Sequence, residues 1–317
     1  MLQNQKILKA LSKRACILRW PCVLGLCIPL LGPRLAQAGT LMWILDLASH
    51  WQWVFAIGLL ILTLFIAFTS PKNRALWLLG LLALPFYTAS PSLPESTELE
   101  TAPEQTLRIA SANVHFENTD PTKLLAWAQK EMPDVVVLLE LSEEYAKNLR
   151  EKTTYPHQYF LPGQSPFGIG LLSKIPLIKP QRHTDSNEIP YLETQLELDG
   201  QRLTLIAFHP MPPISAEDHE VRNKTLYQFA QRAKEAPLII AGDLNASAWS
   251  GALHQLAPFG LKRTTSLLPT WPTALQGLSG IPIDHVLAST HFVSIDSDRA
   301  ESIGSDHYPV LSTLLLQ

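Results

Sequence analysis

The sequence predicts an α/β fold: a four-layer α/β sandwich of two mixed β-sheets flanked by helices, preceded by N-terminal transmembrane helices. Three observations predict it. The chain changes character near residue 95, from long apolar runs to a polar segment. Beyond residue 107, short apolar runs of strand length outnumber helical patterns. About 210 residues remain there, enough for one core between two sheets.

The chain has 317 residues, and its average composition hides a split. Only four acidic residues precede Glu104, namely Asp46, Glu95, Glu98 and Glu100. From Thr106 onward 17 Lys and Arg stand against 23 Asp and Glu, about −6 before histidine is considered. Strong non-specific binding to nucleic acid needs Lys and Arg to neutralise phosphates, so an acidic domain argues against it. A local basic patch or a bound metal could still reverse the sign locally. All three cysteines, Cys16, Cys22 and Cys27, lie in the first apolar segment. The polar half therefore has no disulfide framework, no thiolate metal site and no cysteine nucleophile.

Residues 1–94 read as a membrane region. Residues 51–70 are twenty residues without a charge, which matches a hydrocarbon core of ~30 Å at ~1.5 Å rise per residue. Residues 75–94 are a second uncharged stretch, and Lys72 and Arg74 sit in the turn between the two. The first apolar stretch, about residues 17–38, is weaker, because Arg19 and Arg34 bracket only fourteen uncharged residues. It follows Lys6, Lys9, Lys13 and Arg14, and Leu35-Ala36-Gln37-Ala38 has the small residues of a signal cleavage site. It either spans the membrane or is a cleaved signal. Both choices keep the basic N-terminus and the Lys72/Arg74 turn in the cytoplasm. The expected location is therefore the cell inner membrane, multi-pass, with the polar half on the periplasmic, extracytoplasmic side. If the first segment did neither, the other two would form a hairpin and the polar half would face the cytoplasm. Residues 95–106, rich in Pro, Ser, Thr and Glu, read as a linker with little to bury.

Residues 107–317 read as one folded domain. Residues 107–112 alternate as a strand does. Leu124, Leu125 and Ala128 sit at helical spacing within residues 121–130, and Pro133 stops that helix. Residues 135–139 form a continuous apolar run, as expected of a strand buried on both faces. Residues 168–172, 193–198, 203–207, 238–241, 283–287 and 310–315 are further strands, and residues 220–234 a helix.

Each of these strands ends in a small polar cluster. The first ends in Asn113-Val114-His115, the second in Glu140. The strand at 203–207 runs into His209, and that at 238–241 into Gly242-Asp243-Leu244-Asn245. Near the C-terminus come Ile283-Asp284-His285 and Gly304-Ser305-Asp306-His307. Singly, each is an ordinary turn or cap. Jointly they supply what a hydrolase needs. Glu140, Asp243, Asn245, Asn113 and Asp306 offer carboxylate and amide oxygens for a hard cation. His307 and His209 offer imidazoles, with Asp284 to orient one of them.

The ordered set resembles the endonuclease/exonuclease/phosphatase superfamily, which includes pancreatic-type deoxyribonucleases, abasic-site endonucleases, neutral sphingomyelinases and inositol polyphosphate phosphatases. The matching residues are Ser111-Ala112-Asn113-Val114, Pro133-Asp134-Val135 through Glu140, Gly168 to Ser173, His209, Gly242-Asp243-Leu244-Asn245, Thr270-Trp271-Pro272, Ile283-Asp284-His285-Val286 and Gly304-Ser305-Asp306-His307. They span nearly all of the polar half. The whole chain is similar to a bacterial membrane-bound branch of that superfamily. The resemblance implies that Glu140 is the principal metal ligand, with Asn113 beside it and Asp306 completing the metal environment. It implies that Asp243 orients or deprotonates the attacking water and that Asn245 holds a phosphate oxygen. His307, positioned by Asp284, would bond phosphoryl oxygens, and His209 would be a second phosphate-facing imidazole. Mg²⁺ is the expected ion because the ligands are oxygens and few, with Mn²⁺ an alternative.

His115 departs from the pattern, since several superfamily nucleases carry an acid there. It could contact phosphate or cap its loop. Arg222 could reach a phosphate from its helix or lie on a solvated face. Trp271 is expected in the core rather than the cleft. The expected substrate is a phosphoester: a lipid headgroup, a sugar phosphate or a nucleic acid. The anchor favours a headgroup, with the apolar loop at residues 211–214 touching the bilayer, over an extracytoplasmic nuclease. A catalytically inactive binding protein on the same fold is the remaining alternative. No protein partner is expected.

Overall fold

The computed structural model describes residues 2–70, 75–95 and 106–317. The Lys72/Arg74 turn and most of the expected linker lie outside the described residues.

The N-terminal segment begins with α1 (Leu2–Cys27), which continues into 3-10 turns over Ile28–Ala36. Gly32 breaks those turns at a φ of 53°, where a side chain would be strained, and Pro33 follows. Next come α2 (Thr40–Ser49) and α3 (Gln52–Thr69). Two stretches are long and apolar enough to cross a membrane, Lys6–Ala36 and Gln52–Thr69. They pack against each other: Gln52 Nε2 donates to Gly25 O at 2.9 Å.

The third expected segment forms a shorter helix than the other two. Residues 75–94 hold only 3-10 turns over Leu76–Ala83 and the short α4 (Leu84–Tyr87). Twelve helical residues rise ~18–24 Å, short of a hydrocarbon core of ~30 Å. The chain then becomes extended and docks on the polar half. Ser90 N donates to Ala248 O at 2.7 Å and Leu93 N to Arg263 O at 2.8 Å. Leu93 is buried in the core, so the folded domain gathers residues from before its expected start.

The domain is a sandwich. Its elements run β1 (Thr106–Asn113), α5 (Thr122–Glu131), β2 (Val135–Leu139), α6 (Glu143–Lys152), β3 (His157–Leu161) and β4 (Ile169–Ser173). They continue with β5 (Ile178–Thr184), β6 (Pro190–Leu198), β7 (Gln201–Phe208), α7 (Ala216–Arg232) and β8 (Leu238–Asp243). The last are α8 (Gly251–His254), β9 (Leu261–Arg263), β10 (Asp284–Ser289), β11 (Phe292–Arg299) and β12 (Val310–Leu316). One sheet has the order β11-β12-β1-β2-β4-β3, the other β5-β6-β7-β8-β10-β9. Both are mixed: β1 pairs with β2, and β7 with β8, in parallel, and the remaining pairs are antiparallel.

Burial explains why the central strands read as unbroken apolar runs. Alternate residues of β2, Val135, Val137 and Leu139, point into the core between the sheets. Val136 and Leu138 point out under α5 and α6. On the other sheet Ile240 and Ile206 lie under α7 and α8. Each fully buried aliphatic side chain stabilises by ~1.5–3 kcal/mol, which makes these layers the bulk of the stability.

The parallel pairs β1/β2 and β7/β8 carry their C-terminal ends to one edge of the sandwich. Asp284 opens β10 directly opposite Asp243. The strands running into Asn113, Glu140, His209 and Asp243 end there, and β10 begins there.

Candidate active site

Asn113 closes β1 and is fully buried. Its Nδ2 donates to Glu140 Oε1 at 2.8 Å and faces Asp243 Oδ2 at 3.4 Å. Its Oδ1 accepts from His115 N at 3.0 Å. Glu140 and His115 both sit at positive φ, 57° and 64°, so both turn sharply as their strands end. Glu140 Oε2 accepts from Phe116 N at 3.0 Å. Across the opening, Asp306 Oδ2 accepts from the Trp271 indole at 3.0 Å. Asp306 Oδ1 is shielded and accepts no hydrogen bond. His115 Nδ1 lies 3.2 Å from it and 3.9 Å from Glu140 Oε2.

The second half of the site centres on Asp243. Its Oδ2 is 3.7 Å from His209 Nε2 and 3.7 Å from His307 Nε2. His307 Nδ1 is bonded to Asp284 Oδ2 at 2.9 Å. Backbone anchors fix the group. Thr270 Oγ1 accepts from Asp284 N at 3.1 Å, and Ser305 Oγ from His307 N at 3.1 Å. Asn245, at a φ of 49°, curls back so that its N donates to Asp243 Oδ1 at 2.9 Å. Its Nδ2 donates to Pro210 O at 3.1 Å. Gly242 is required by close approach, because a Cβ there would stand 1.9 Å from Phe208 O.

The electrostatics follow from this packing. Burial and the neighbouring Asp284 carboxylate push Asp243 up to about 6, against the pull of His307 and His209. Burial works against a charge on His307, but Asp284 and Asp243 outweigh it and push the imidazolium up to about 10. A buried base that titrates near neutrality therefore stands beside a buried acid that keeps its proton.

Two places could hold a cation. The ligand atoms of Asp243, Asp284 and His307 lie within 4.8 Å of one another. His307 Nδ1 and Asp284 Oδ2 are already paired there, while Asp284 Oδ1 accepts no hydrogen bond, and the pairing suits that trio to acid–base work. The stretch between Glu140, Asn113 and Asp306 fits a hard divalent cation better. It has oxygen donors of the right class, and Asp306 Oδ1 accepts no hydrogen bond, with the His115 imidazole 3.2 Å away. Among the described residues no Lys or Arg lines the cavity that joins both halves, which leaves the His307 imidazolium to balance its carboxylates. The Asn113 amide nitrogen, not its oxygen, faces Glu140, and the residue would join a cation only by turning its amide.

Most expected site residues meet here: Asn113, His115, Glu140, His209, Asp243, Asn245, Asp284, Asp306 and His307. Arg222 is corrected. Its guanidinium is fully buried behind the site, bonded to Asp46 Oδ2 at 2.8 Å and to the Asn245 carbonyl, and it reaches neither cleft nor solvent. Trp271 is also corrected, since it lines the cavity and holds Asp306. His285 is a core histidine. Thr265 and the carbonyls of Ala246 and Pro282 surround it, and burial with Arg263 pushes it down to about 4. Sequence reasoning missed Phe167, whose ring lies 5.6 Å from that of His209. It also missed Leu47, His50 and Trp51, N-terminal residues that line the same cavity of about 560 Å³. Asp46, the lone acid of the long apolar half, was the available signal.

The Endonuclease/Exonuclease/phosphatase family profile matches residues 110–307. No curated protein sequence matches the chain. Solved structures share the fold. TDP2 from D. rerio, complexed with a single-stranded DNA product, aligns with a TM-score of 0.55 at 20% identity, over 66% of this chain and 98% of that one. An endonuclease/exonuclease/phosphatase from Beutenbergia cavernae gives 0.55 at 21% identity, over 67% and 72%. One from Bacteroides vulgatus gives 0.56 at 15% identity, over 68% and 100%. Likeness at these identities establishes the two-sheet fold.

Proposed function

The chain belongs to the endonuclease/exonuclease/phosphatase family, and on that premise we propose that it is a membrane-anchored, divalent-metal-dependent phosphoester hydrolase. The observation that carries this is the placement of Asp243 Oδ2 at 3.7 Å from each of two imidazole Nε2 atoms, with His307 held by Asp284. Such a group accepts a proton at one atom and offers positive hydrogen-bond donors on either side.

Asp243 takes the proton from an attacking water. His307, kept cationic by Asp284, donates to a phosphoryl oxygen as charge builds there. His209 faces the same oxygens from the other side. Asn245 sets the Asp243 carboxylate through its backbone N–H and presents its side chain to the phosphate. Glu140 and Asp306 would hold Mg²⁺, or Mn²⁺, with Asn113 beside them and His115 at the edge. A cation held there would supply charge neutralisation for a phosphate entering a cavity that no Lys or Arg lines among the described residues.

Anchoring rests on the two long apolar helical stretches. Lys6, Lys9, Lys13 and Arg14 near the start of α1 would stay in the cytoplasm. The domain holds Asp46, between the two spans, and the chain returns along α3 to set Phe86 beside Trp53, so the domain would lie on the opposite, periplasmic side of the inner membrane. The acidic domain disfavours a nuclease, which needs a basic groove. Intact Glu140, Asp243 and His307 disfavour a purely binding role.

The test is hydrolysis of bis-p-nitrophenyl phosphate by the full chain in detergent, with Mg²⁺, with Mn²⁺ and with EDTA. Turnover that needs the metal and disappears in Asp243→Asn is expected. Metal-independent turnover, or none by a folded protein, would reject the reading.

A further inference from the structure

The cavity has two unlike walls. One carries the phosphate chemistry of His209, Asp243 and His307. The other is apolar and built from two parts of the chain. Leu47 and Trp51 come from the N-terminal segment, and Met211, Pro212, Pro213 and Ile214 from the loop after β7. Nothing in phosphoryl transfer requires this second wall, so it serves the part of the substrate that does not react.

The N-terminal part of that wall is fixed to the domain. Asp46 is fully buried. Its carboxylate accepts from Arg222 at 2.8 Å, from Gly251 N at 2.8 Å and from Ser250 Oγ at 2.9 Å. Trp43 Nε1 donates to Pro213 O at 2.8 Å, which ties α2 to the cavity loop itself. Trp53 Nε1 donates to Leu267 O at 2.9 Å. Gly251 lies so close beneath the segment that a Cβ would stand 2.2 Å from Ala36 N.

A second observation gives the direction from which the cavity is reached. Trp51, on the cavity wall, immediately precedes α3, one of the two helices of membrane-spanning length. Indole rings favour the membrane–water boundary, and Trp43, Trp51 and Trp53 gather at this end of the helices. Large apolar side chains are exposed at the same level. From the N-terminal segment come Leu41 at 65% and Ile44 at 52%, and from the domain Ile214 at 70% and Leu268 at 51%. Ile214 and Leu268 directly follow the two residues whose carbonyls Trp43 and Trp53 hold. An apolar patch continuous with spanning helices has a natural occupant in the bilayer surface.

Resting on the hydrolase reading, we infer that the cavity takes a phosphoester carried by a membrane lipid. The phosphate lies between His209 and His307, and the lipid's glycerol and first acyl carbons lie on Leu47, Trp51, Pro212 and Ile214. The volume of about 560 Å³ suits a headgroup and its nearest carbons and is too small for a nucleic-acid duplex. The reaction is a hydrolysis. The water oxygen bonds to phosphorus and one P–O ester bond breaks. The leaving oxygen keeps that electron pair and takes up a proton, and Asp243 receives the proton of the water. No oxidant or reductant is needed.

The test uses the full chain in detergent with its metal and three probes. These are mixed micelles of phosphatidic acid and phosphatidylglycerol in phosphatidylcholine, soluble bis-p-nitrophenyl phosphate, and a single-stranded oligonucleotide. The expected result is faster hydrolysis of a micellar lipid than of either other probe. Leu47→Asp and, separately, Ile214→Asp should each lower the lipid-to-soluble ratio of kcat/KM at least tenfold, mostly through KM. The Ile214 variant lies on an exposed loop and keeps the test open if Leu47→Asp fails to fold. Hydrolysis of the soluble ester or the oligonucleotide without the lipids would overturn this inference and leave the hydrolase reading standing. An unchanged ratio in a folded Ile214→Asp variant would overturn it too. Failure on all three probes would sink both.

Discussion

Arg222 and Asp46, 176 residues apart in sequence, form a fully buried ion pair at 2.8 Å, and the same guanidinium also holds the Asn245 carbonyl. Burial alone would raise the Asp46 carboxyl. The neighbouring His219 and His50 imidazoles, with the charge of Arg222, outweigh it and hold the group well below the usual range. Burial pulls Arg222 down while Asp46 pulls it up, and a guanidinium stays cationic in either case. A charge from the apolar segment thus neutralises a charge directly behind the catalytic loop.

Asp46→Ala leaves that guanidinium buried and unpaired, which costs ~3–5 kcal/mol. A clear drop in the denaturation midpoint of the full chain is expected, together with a fall in kcat as the Asn245 turn loosens. A midpoint within error of the wild type would show that water reaches Arg222 and replaces its partner.

Asp243→Asn removes the proton acceptor while keeping the shape of the side chain. Turnover should fall by ~10²–10⁴-fold, the usual contribution of a positioned general base. The denaturation midpoint should hold or rise, because a buried carboxylate beside Asp284 is replaced by a neutral amide. Stopped assays at saturating substrate and a melting curve check the two halves.

The pH profile should have two limbs. Asp243 must be ionised to accept a proton, so activity rises as pH passes about 6. His307 must stay protonated, so activity falls as pH approaches about 10. A bound cation near Asp243 moves the acid limb lower. Asp284→Asn takes away a carboxylate that raises both groups, so both limbs should move to lower pH. A stationary alkaline limb in that variant would remove His307 from the role.

Glu140→Gln should weaken divalent-cation affinity at least tenfold, read by Mn²⁺ binding in electron paramagnetic resonance without any substrate. Trp271→Phe should weaken it less, because it only frees Asp306 Oδ2 from its indole partner. Equal affinity in Glu140→Gln would move the cation to the trio of Asp243, Asp284 and His307.

The domain was legible in the sequence where local pattern and tertiary role coincide. Val135–Leu139 reads as a buried strand because both of its faces are covered. Asn113, Glu140, His209 and Asp243 stand out because each ends an apolar run, and parallel pairing carries those ends to one edge. The helix within residues 75–94 is shorter than its apolar run because composition measures length in residues, whereas 3-10 turns and a proline fix the actual helix. Arg222 was misread because helical spacing identifies one covered face and is silent about a second. On α7 the N-terminal segment covers that second face, burying His219, Arg222 and Asn223. Trp271 followed the general preference of indoles for cores, and the acceptor that draws it to the cleft, Asp306, is 35 residues away.

The contact between Asp46 and Arg222 also bears on how the folded domain comes into being. The apolar segment leaves the ribosome before the domain and, on the membrane-anchored reading, would be seated when the domain is synthesised. The domain then closes around a counter-ion waiting for it. A domain clipped free by a protease would carry a naked guanidinium behind its catalytic turn and half a substrate wall. On the membrane-anchored reading, maturation and confinement to the bilayer would be one event, and shedding would act as an off switch rather than a means of release.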